Sequence, residues 1–262
     1  MSFSILVHFG TLVSLCVVMR DRLLKYLREP LGHIPRMVVL GTIPTIVVVL
    51  LFGRVFNDFF DTGASLGAGF ILTALVLLFA EKIGEKYGGG YISKKQTGGW
   101  EEVGATSKER QPIEKKVTIK GALIVGVAQG IAVTPAVSRS GCTIAAGIIS
   151  GFGRQAAIEF AFLMSIPVIL MAMAQDVLKI ITRGPDPAAA ADGIQHAMGA
   201  AGPLEMAIGF VAAAVTGYFA AHFMLKAIQK IRLSWFSLYT GVLGVLIMLD
   251  QLVFGVVFDK FF

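Results

Sequence analysis

Charged residues are scarce in this sequence: Asp, Glu, Lys and Arg together account for only 15% of its 262 residues. An average soluble domain carries about 25%. Hydrophobic residues account for 55%, and the mean hydropathy is +0.76. So few charged groups cannot cover a globular surface with side chains that favour water. The composition therefore excludes a soluble enzyme, a disordered protein and a small disulfide scaffold, and it predicts a polytopic membrane protein.

Several other signatures are missing. The two cysteines, Cys16 and Cys142, lie in apolar surroundings, so the sequence predicts no disulfide framework. No zinc-ligand spacing occurs, and the glycines at 88–90 and 98–99 lack the Gly-Lys-Ser/Thr ending of a P-loop. The N-terminus resembles no removable signal peptide. The net charge of +6 comes from basic residues in short loops beside apolar runs, so no nucleic-acid partner is expected.

The apolar runs predict the membrane-spanning helices. A helix needs about 20 mostly apolar residues to cross the hydrocarbon core, and about six segments meet or approach that length. They are Phe3–Met19, Met37–Phe52, Leu66–Ala80, Ile158–Ile181, Leu204–Leu225 and Leu233–Phe258. A seventh apolar stretch, residues 121–150, is interrupted by the polar sequence Thr134-Pro135-Ala136-Val137-Ser138-Arg139-Ser140-Gly141.

Charge in the loops indicates how this interrupted stretch crosses the membrane. Cytoplasmic loops carry an excess of Lys and Arg, which places the basic loops 20–36 and 81–120 in the cytoplasm. If residues 121–150 crossed once, the basic residues between 226 and 232 would lie outside; if the stretch returns to its side of entry, they lie inside. We therefore predict an all-α polytopic fold with a re-entrant helical hairpin at 121–150. The whole chain, 1–262, would form one integral membrane domain with a cytoplasmic polar loop at 81–120.

The polar interruption carries the most chemistry. An arginine within the bilayer costs about 2.5–3.5 kcal/mol even on a lenient scale, so Arg139 is expected to have a use. Ser138, Ser140 and Thr143 would surround its guanidinium with hydroxyl groups, and Gly141 would let the backbone approach closely. A helix that begins here would present free N–H groups, which favour anions, and the arginine fork suits phosphate oxygens. The pattern predicts a phosphate site.

Two structural interpretations compete with this one. Arg139 could pair with a backbone carbonyl or a nearby acid, and a Ser/Thr turn could simply cap a short helix. The second explains the hydroxyl groups but not the arginine.

The sequence from Gln129 to Ile144, Gln-Gly-Ile-Ala-Val-Thr-Pro-Ala-Val-Ser-Arg-Ser-Gly-Cys-Thr-Ile, resembles the second signature of the undecaprenyl pyrophosphate phosphatase (bacitracin resistance) family, written P-G-x-S-R-S-G-x-T. The similarity continues from Arg154 to Pro167 and covers nearly the whole chain. Ala136 replaces the usual glycine. The family's first signature, an acidic E-x-x-x-E helix followed by Ser-Ser-Thr-Gly-His, is not in the sequence and would lie before Met1.

The resemblance implies a multi-pass enzyme of the bacterial cytoplasmic (inner) membrane that hydrolyses undecaprenyl (polyprenyl) pyrophosphate to the monophosphate and inorganic phosphate. This reaction recycles the lipid carrier for peptidoglycan synthesis and confers bacitracin resistance. The resemblance also implies an inverted repeat with two re-entrant hairpins, an active site that faces the periplasm, a divalent cation (Mg or Ca) and an expected homodimer. By position it implies a catalytic set, Arg139, Ser138, Ser140 and Thr143, and a substrate-binding set, Gly141, Gln129 and Glu159.

Two alternatives remain open. Broken helices and inverted repeats also occur in transporters, so a transporter or lipid flippase is the second hypothesis. The third is a catalytically incomplete fragment of the phosphatase, because the carboxylates and the histidine of the first signature are not in the sequence. A weak match between the segments that begin at Phe3 and Phe160 favours an internal repeat.

Other residues are given structural interpretations. Glu81 and Glu85 also fit E-x-x-x-E, but they lie among lysines and are interpreted as a solvated helix end. His8 is interpreted as a structural hydrogen-bonding residue. The spacings Gly126-x-x-x-Gly130 and Gly147-x-x-x-Gly151 predict close helix packing. The remaining histidines are interpreted as surface residues: His33, His196 and His222.

Overall fold

The computed structural model describes residues 3–62, 66–86, 92–93, 101–102, 117–134, 136–183, 203–230 and 232–251. Within these ranges the chain forms nine helices and one antiparallel pair of two-residue strands, which confirms the all-α class. The helices are α1 (Phe3–Val18), α2 (Arg20–Arg28), α3 (His33–Thr62), α4 (Leu66–Lys86), α5 (Ile119–Ile131), α6 (Arg139–Ile149), α7 (Arg154–Arg183), α8 (Pro203–Lys230) and α9 (Leu233–Leu249). The strands are β1 (Ile92–Ser93) and β2 (Glu101–Glu102), with Ile92 opposite Glu102. Pro135, His196 and most of the predicted loop 81–120 lie outside the described residues.

Four helices are long and apolar enough to span a membrane. Their spanning portions are His33–Phe56, Leu66–Glu85, Arg154–Gln175 and Glu205–Met224. Shorter apolar helices are Leu6–Val18, Ile119–Ile131 and Leu233–Leu249. Large hydrophobic side chains on these helices are widely exposed, as suits side chains in contact with lipid. The polytopic membrane protein is confirmed. Within the described residues each of the six predicted spans corresponds to one helix, and the first and last of them, α1 and α9, are among the shorter apolar helices.

The chain divides into two compact units. The first comprises residues 1–29 and 165–226, and the second comprises residues 30–164 and 227–262. The helices α7 and α8 each contribute to both units, because the division falls within them. The helices α5 and α6, which correspond to the predicted hairpin, lie wholly in the second unit.

In the second unit, α3 packs on α5, α4 packs on both α6 and α9, and α5 packs on α6. The crossing of α3 and α5 is close because Gly41 and Gly126 have no side chains. A Cβ added at Gly126 would overlap the Gly41 carbonyl oxygen, and one added at Gly130 would lie 2.7 Å from Val48 Cβ. Thr45 donates its hydroxyl proton to the Gly126 carbonyl oxygen at 2.8 Å. The predicted packing role of Gly126 and Gly130 is confirmed.

In the first unit, α1 and α8 also meet at glycines. A Cβ added at Gly10 would lie 2.8 Å from the Phe210 carbonyl oxygen, and one added at Gly217 would lie 2.5 Å from Ser14 Oγ. The rings of Phe9 and Phe210 stack with their centroids 5.8 Å apart. Small residues therefore set this helix pair as well.

The interpretation of Glu81 as part of a solvated helix end is wrong. The Glu81 side chain is buried, with 6% of the residue exposed, and α4 continues past it to Lys86, into the predicted loop. Its Oε2 accepts a hydrogen bond of 2.7 Å from the backbone N–H of Leu233, the first residue of α9. Its Oε1 lies 3.4 Å from Arg232 Nε. The carboxylate caps α9 and ties it to α4, a contact that sequence spacing could not indicate.

Replacing Glu81 with alanine is expected to destabilise the fold by about 2–3 kcal/mol, because a buried charge-assisted hydrogen bond is lost and the α9 N-terminus is left uncapped. Glu85, which bonds the same Arg232 from a half-exposed position, supplies the control: Glu85→Ala should cost less than about 1 kcal/mol. Thermal unfolding of both variants in detergent, followed by size-exclusion chromatography, measures the difference. Equal midpoints for the two variants would contradict the capping role.

Two further expectations for the segment between α1 and α3 are corrected. The predicted loop 20–36 contains the helix α2 and the start of α3. His33 is half-buried rather than a surface residue, and its Nε2 lies 2.8 Å from the Val117 carbonyl oxygen. His222, by contrast, is exposed and stacks on Tyr218, as the surface interpretation predicted.

Candidate active site at the hairpin apex

The interrupted stretch folds as two short helices with a break between them. The helices α5 and α6 have 13 and 11 residues and are therefore about 20 and 17 Å long, too short to cross a hydrocarbon core of about 30 Å. They pack against each other, as the two arms of a re-entrant hairpin must. Between them, Val133 N–H bonds the Gly130 carbonyl oxygen at 3.3 Å and Thr134 N–H bonds that of Ile131 at 3.1 Å. The break falls where the polar sequence predicts it.

Ser138 is the N-cap of α6. Its Oγ accepts a hydrogen bond of 3.2 Å from Gly141 N–H, and its own N–H donates to Thr73 Oγ1 of α4 at 3.0 Å. Gly141 has to be small, because a Cβ there would lie 2.9 Å from Ser138 Oγ. The cap therefore fixes both the start of α6 and its attachment to α4.

Thr73 is a site residue that sequence reasoning missed. It is almost fully buried, with 1% exposed, and its hydroxyl group donates to the Gly69 carbonyl oxygen at 2.9 Å while accepting from Ser138 N–H. The available signal was a hydroxyl side chain in the otherwise apolar span Leu66–Ala80.

Thr143 lies one turn into α6 with its side chain buried, 2% exposed. Its Oγ1 lies 2.9 Å from the Arg139 carbonyl oxygen and 3.2 Å from that of Ser140. Bonds of this kind satisfy the hydroxyl group within its own helix. The structure therefore brings Ser138, Arg139, Ser140 and Gly141 together at the apex and places the Thr143 hydroxyl beneath them.

Arg139 is the first residue of α6 and its side chain is exposed. No described residue forms a hydrogen bond or ion pair with its guanidinium, so the alternative of an internal partner finds no support in this part of the chain. The backbone N–H groups of Arg139 and Ser140 also bond no described residue. A guanidinium fork and two N–H groups that no described residue engages, at a positive helix end, form an anion-binding arrangement.

Gln129 and Glu159 flank the apex differently. Gln129, 1% exposed, lies two residues before the end of α5, and its Nε2 donates to the Met164 carbonyl oxygen of α7 at 3.4 Å. Its Oε1 has no hydrogen-bond partner among the described residues. Glu159 lies five residues before Met164, about 7.5 Å closer to the start of α7, and it accepts a hydrogen bond of 3.2 Å from Gln155 Nε2. Gln129 is thus near the break, whereas Glu159 is nearer the start of α7.

The described residues do not by themselves fit a divalent metal ion. No group of three His, Cys, Asp or Glu side chains that could hold a metal occurs in the described ranges. The apex presents a cation and hydroxyl groups, whereas Mg and Ca require carboxylate and carbonyl oxygens.

Ala136, in the turn between α5 and α6, has φ +61°, the left-handed region. An L-residue other than glycine pays about 1–2 kcal/mol there. Ala136→Gly removes this cost but loses about 0.4–1 kcal/mol, because glycine gives the unfolded chain more conformational freedom, so we expect a net stability gain of up to about 1.5 kcal/mol. Ala136→Val, with its branched Cβ, is the reverse control and should destabilise. Thermal midpoints in detergent test both; a lower midpoint for Ala136→Gly would contradict the strain.

Comparisons with known proteins give one consistent result. The family model described as Bacitracin resistance protein BacA matches residues 1–246. An Undecaprenyl-diphosphatase of Carboxydothermus hydrogenoformans is 38% identical over 249 residues, which cover 95% of this chain and 82% of the relative. An Undecaprenyl-diphosphatase of Methanothermobacter thermautotrophicus is 33% identical over 217 residues, which cover 83% of this chain and 100% of the relative. A third relative, from Halothermothrix orenii, is 28% identical over 250 residues and carries the same name.

Proposed function

The chain belongs to the bacitracin resistance protein BacA family, and we propose that the apex at residues 138–141 is where it binds and hydrolyses undecaprenyl diphosphate. The protein is a membrane-embedded undecaprenyl-diphosphate phosphatase, which releases inorganic phosphate and leaves the lipid monophosphate. The observation that supports the apex as its site is the Arg139 guanidinium beside two backbone N–H groups, none of which bonds a residue in the described part of the chain. The matches do not favour a transporter.

Arg139 meets the main electrostatic demand of the reaction. Hydrolysis breaks the bond between the terminal phosphorus and the bridging oxygen, and negative charge develops on that oxygen, which stays with the lipid monophosphate. Phosphoryl transfer is accelerated chiefly by positioning and by charge stabilisation. The α6 N-terminus would supply positioning, because the Ser138 cap fixes it before the substrate binds, and the guanidinium fork would supply the charge.

The hydroxyl groups of the apex have different roles in the proposed reaction. Ser140 lies in the first turn of α6 and would donate its hydroxyl proton to a phosphate oxygen. The Ser138 and Thr143 hydroxyls already bond within the hairpin, so their role is to hold the backbone N–H groups of the first turn of α6 in place. Gly141 keeps the backbone accessible to the phosphate, and Gln129 and Glu159 stay substrate-contact proposals.

The loop charges and the family support a membrane location and an orientation for the chain. The basic loops 20–36 and 81–120 would lie in the cytoplasm of the bacterial inner membrane, and the apex would face the periplasm. The reaction recycles the lipid carrier for peptidoglycan synthesis, and this fits the bacitracin resistance for which the family is named. A homodimer and a divalent cation remain proposals.

Phosphate release from undecaprenyl diphosphate by the purified chain tests the proposal. We expect release that saturates with the lipid substrate and is much slower with inorganic pyrophosphate, because the prenyl tail contributes binding. The same chain in liposomes, assayed for lipid flipping, tests the alternative. Flipping without phosphate release would overturn the phosphatase and favour transport.

A further inference from the structure

The helix α2, Arg20–Arg28, is the least enclosed helix of the first unit. None of its residues is buried, and Leu24 and Leu27 are 52% and 73% exposed. A nine-residue helix with so little packing is marginal in water even when its sequence favours helix. Leu23 and Tyr26 are half-buried, so the described protein residues cover α2 only in part, and another environment must cover Leu24 and Leu27.

The two faces of α2 differ in chemistry. Leu23, Leu24 and Leu27 share one face, because positions three or four apart lie close together on a helix, and Arg20 stands at the N-terminal end of this face. Asp21, Arg22 and Lys25 share the other face. The helix contains four basic residues and one acidic residue, Asp21, which stands in its first turn, whereas Lys25 and Arg28 stand in its last turn. This combination of exposed leucines and a basic face is typical of helices that lie in a membrane interface.

The connections of α2 keep it at the membrane surface. Met19 alone separates it from the apolar helix α1. Five residue steps separate Arg28 from His33, where the spanning portion of α3 begins, and an extended chain covers at most about 18 Å in five steps. The helix therefore cannot move away from the bilayer boundary that its neighbours define.

We propose that α2 lies flat in the lipid interface, with its leucines among the acyl chains and its basic residues on the headgroups of anionic phospholipids. The occupant is a lipid surface, because an apolar face that is flanked by positive charge matches acyl chains beneath phosphate groups. If the loop 20–36 is cytoplasmic, this is the leaflet whose surface is negative. The helix anchors the first unit at that leaflet.

Hydrogen exchange of the full chain in nanodiscs tests the proposal without any label. The α2 amides should exchange roughly tenfold more slowly with phosphatidylglycerol present than in phosphatidylcholine alone. The double variant Arg22→Gln/Lys25→Gln should lose this difference, as should high salt, because salt screens surface charges. The matched control, Arg36→Gln/Lys120→Gln, removes two exposed basic residues elsewhere and should retain it. The same exchange in both lipids, or the same loss in the control, would overturn the proposal.

Spin labels placed one at a time at Leu24, Leu27, Asp21 and Lys25 test the orientation. Labels at the two leucine positions should be relaxed by oxygen, which concentrates in acyl chains, and labels at Asp21 and Lys25 by a water-soluble nickel complex. Equal access of the nickel complex to all four positions would overturn the proposal. Labels at Leu24 and Leu27 that both reagents fail to reach would also overturn it, since protein would then cover this face.

Discussion

Arg139→Ala is expected to lower phosphate release from undecaprenyl diphosphate by roughly 100- to 1,000-fold, which corresponds to about 2.7–4 kcal/mol of transition-state stabilisation. The loss should appear mainly in kcat, because charge on the bridging oxygen develops only as the bond breaks. The guanidinium has no partner among the described residues, so its removal breaks no contact there. The fold should therefore survive the substitution, and the loss should report on chemistry rather than on stability.

Two control variants sharpen this experiment. Arg139→Lys keeps the charge but loses the planar fork, so we expect it to recover part of the activity. Arg36→Ala removes another exposed arginine, whose Nε bonds the Gly32 carbonyl oxygen, and it should leave phosphate release near that of the unaltered chain. Elution position and thermal midpoint confirm that each variant is folded. Near-unaltered turnover by Arg139→Ala would exclude the apex from the mechanism.

The positions of the spanning helices and the break between α5 and α6 could be predicted from the sequence because they follow from one-dimensional patterns. A run of apolar residues is required to cross lipid whatever the fold around it, and the polar residues 134–141 interrupt such a run. Ser138 could be recognised as a helix cap by residue type. Loop charge favoured a hairpin over a single crossing, and α5 and α6 are short and pack on each other; the re-entrant path through the membrane stays a prediction.

The contacts that join distant helices could not be predicted in this way. Glu81 and Leu233 are far apart in sequence, and only the packing of α4 on α9 brings the carboxylate to the α9 N-terminus. Thr73 and Ser138 meet for the same reason. The helix α2 was missed because its apolar face covers only two turns, less than a spanning pattern requires. Gly151, predicted to pack closely, instead ends α6 at φ +85° with no atom near its missing side chain.

Gly126→Ala is expected to abolish the folded state or to destabilise it by more than about 3 kcal/mol, beyond the usual cost of an overpacked core. Its Cβ would overlap the Gly41 carbonyl oxygen, a backbone atom that cannot turn aside as a side chain does. The only relief is to separate α3 from α5, which would stretch the 2.8 Å bond from Thr45 to the Gly126 carbonyl oxygen and displace the hairpin that carries Arg139.

Gly53, also a glycine within a helix, supplies the matched control because a Cβ there would meet no atom within 4 Å. Gly53→Ala should raise stability by roughly 0.5–1 kcal/mol, since alanine favours helix over glycine. The same Gly→Ala substitution is thus expected to lower stability at one helical position and to raise it at the other, because the space beside the two glycines differs. The folded fraction that elutes as a single species from detergent extracts, with its thermal midpoint, measures both effects. A Gly126→Ala chain as stable as Gly53→Ala would mean that α3 and α5 do not cross in contact, and the support of the hairpin by α3 would then be wrong.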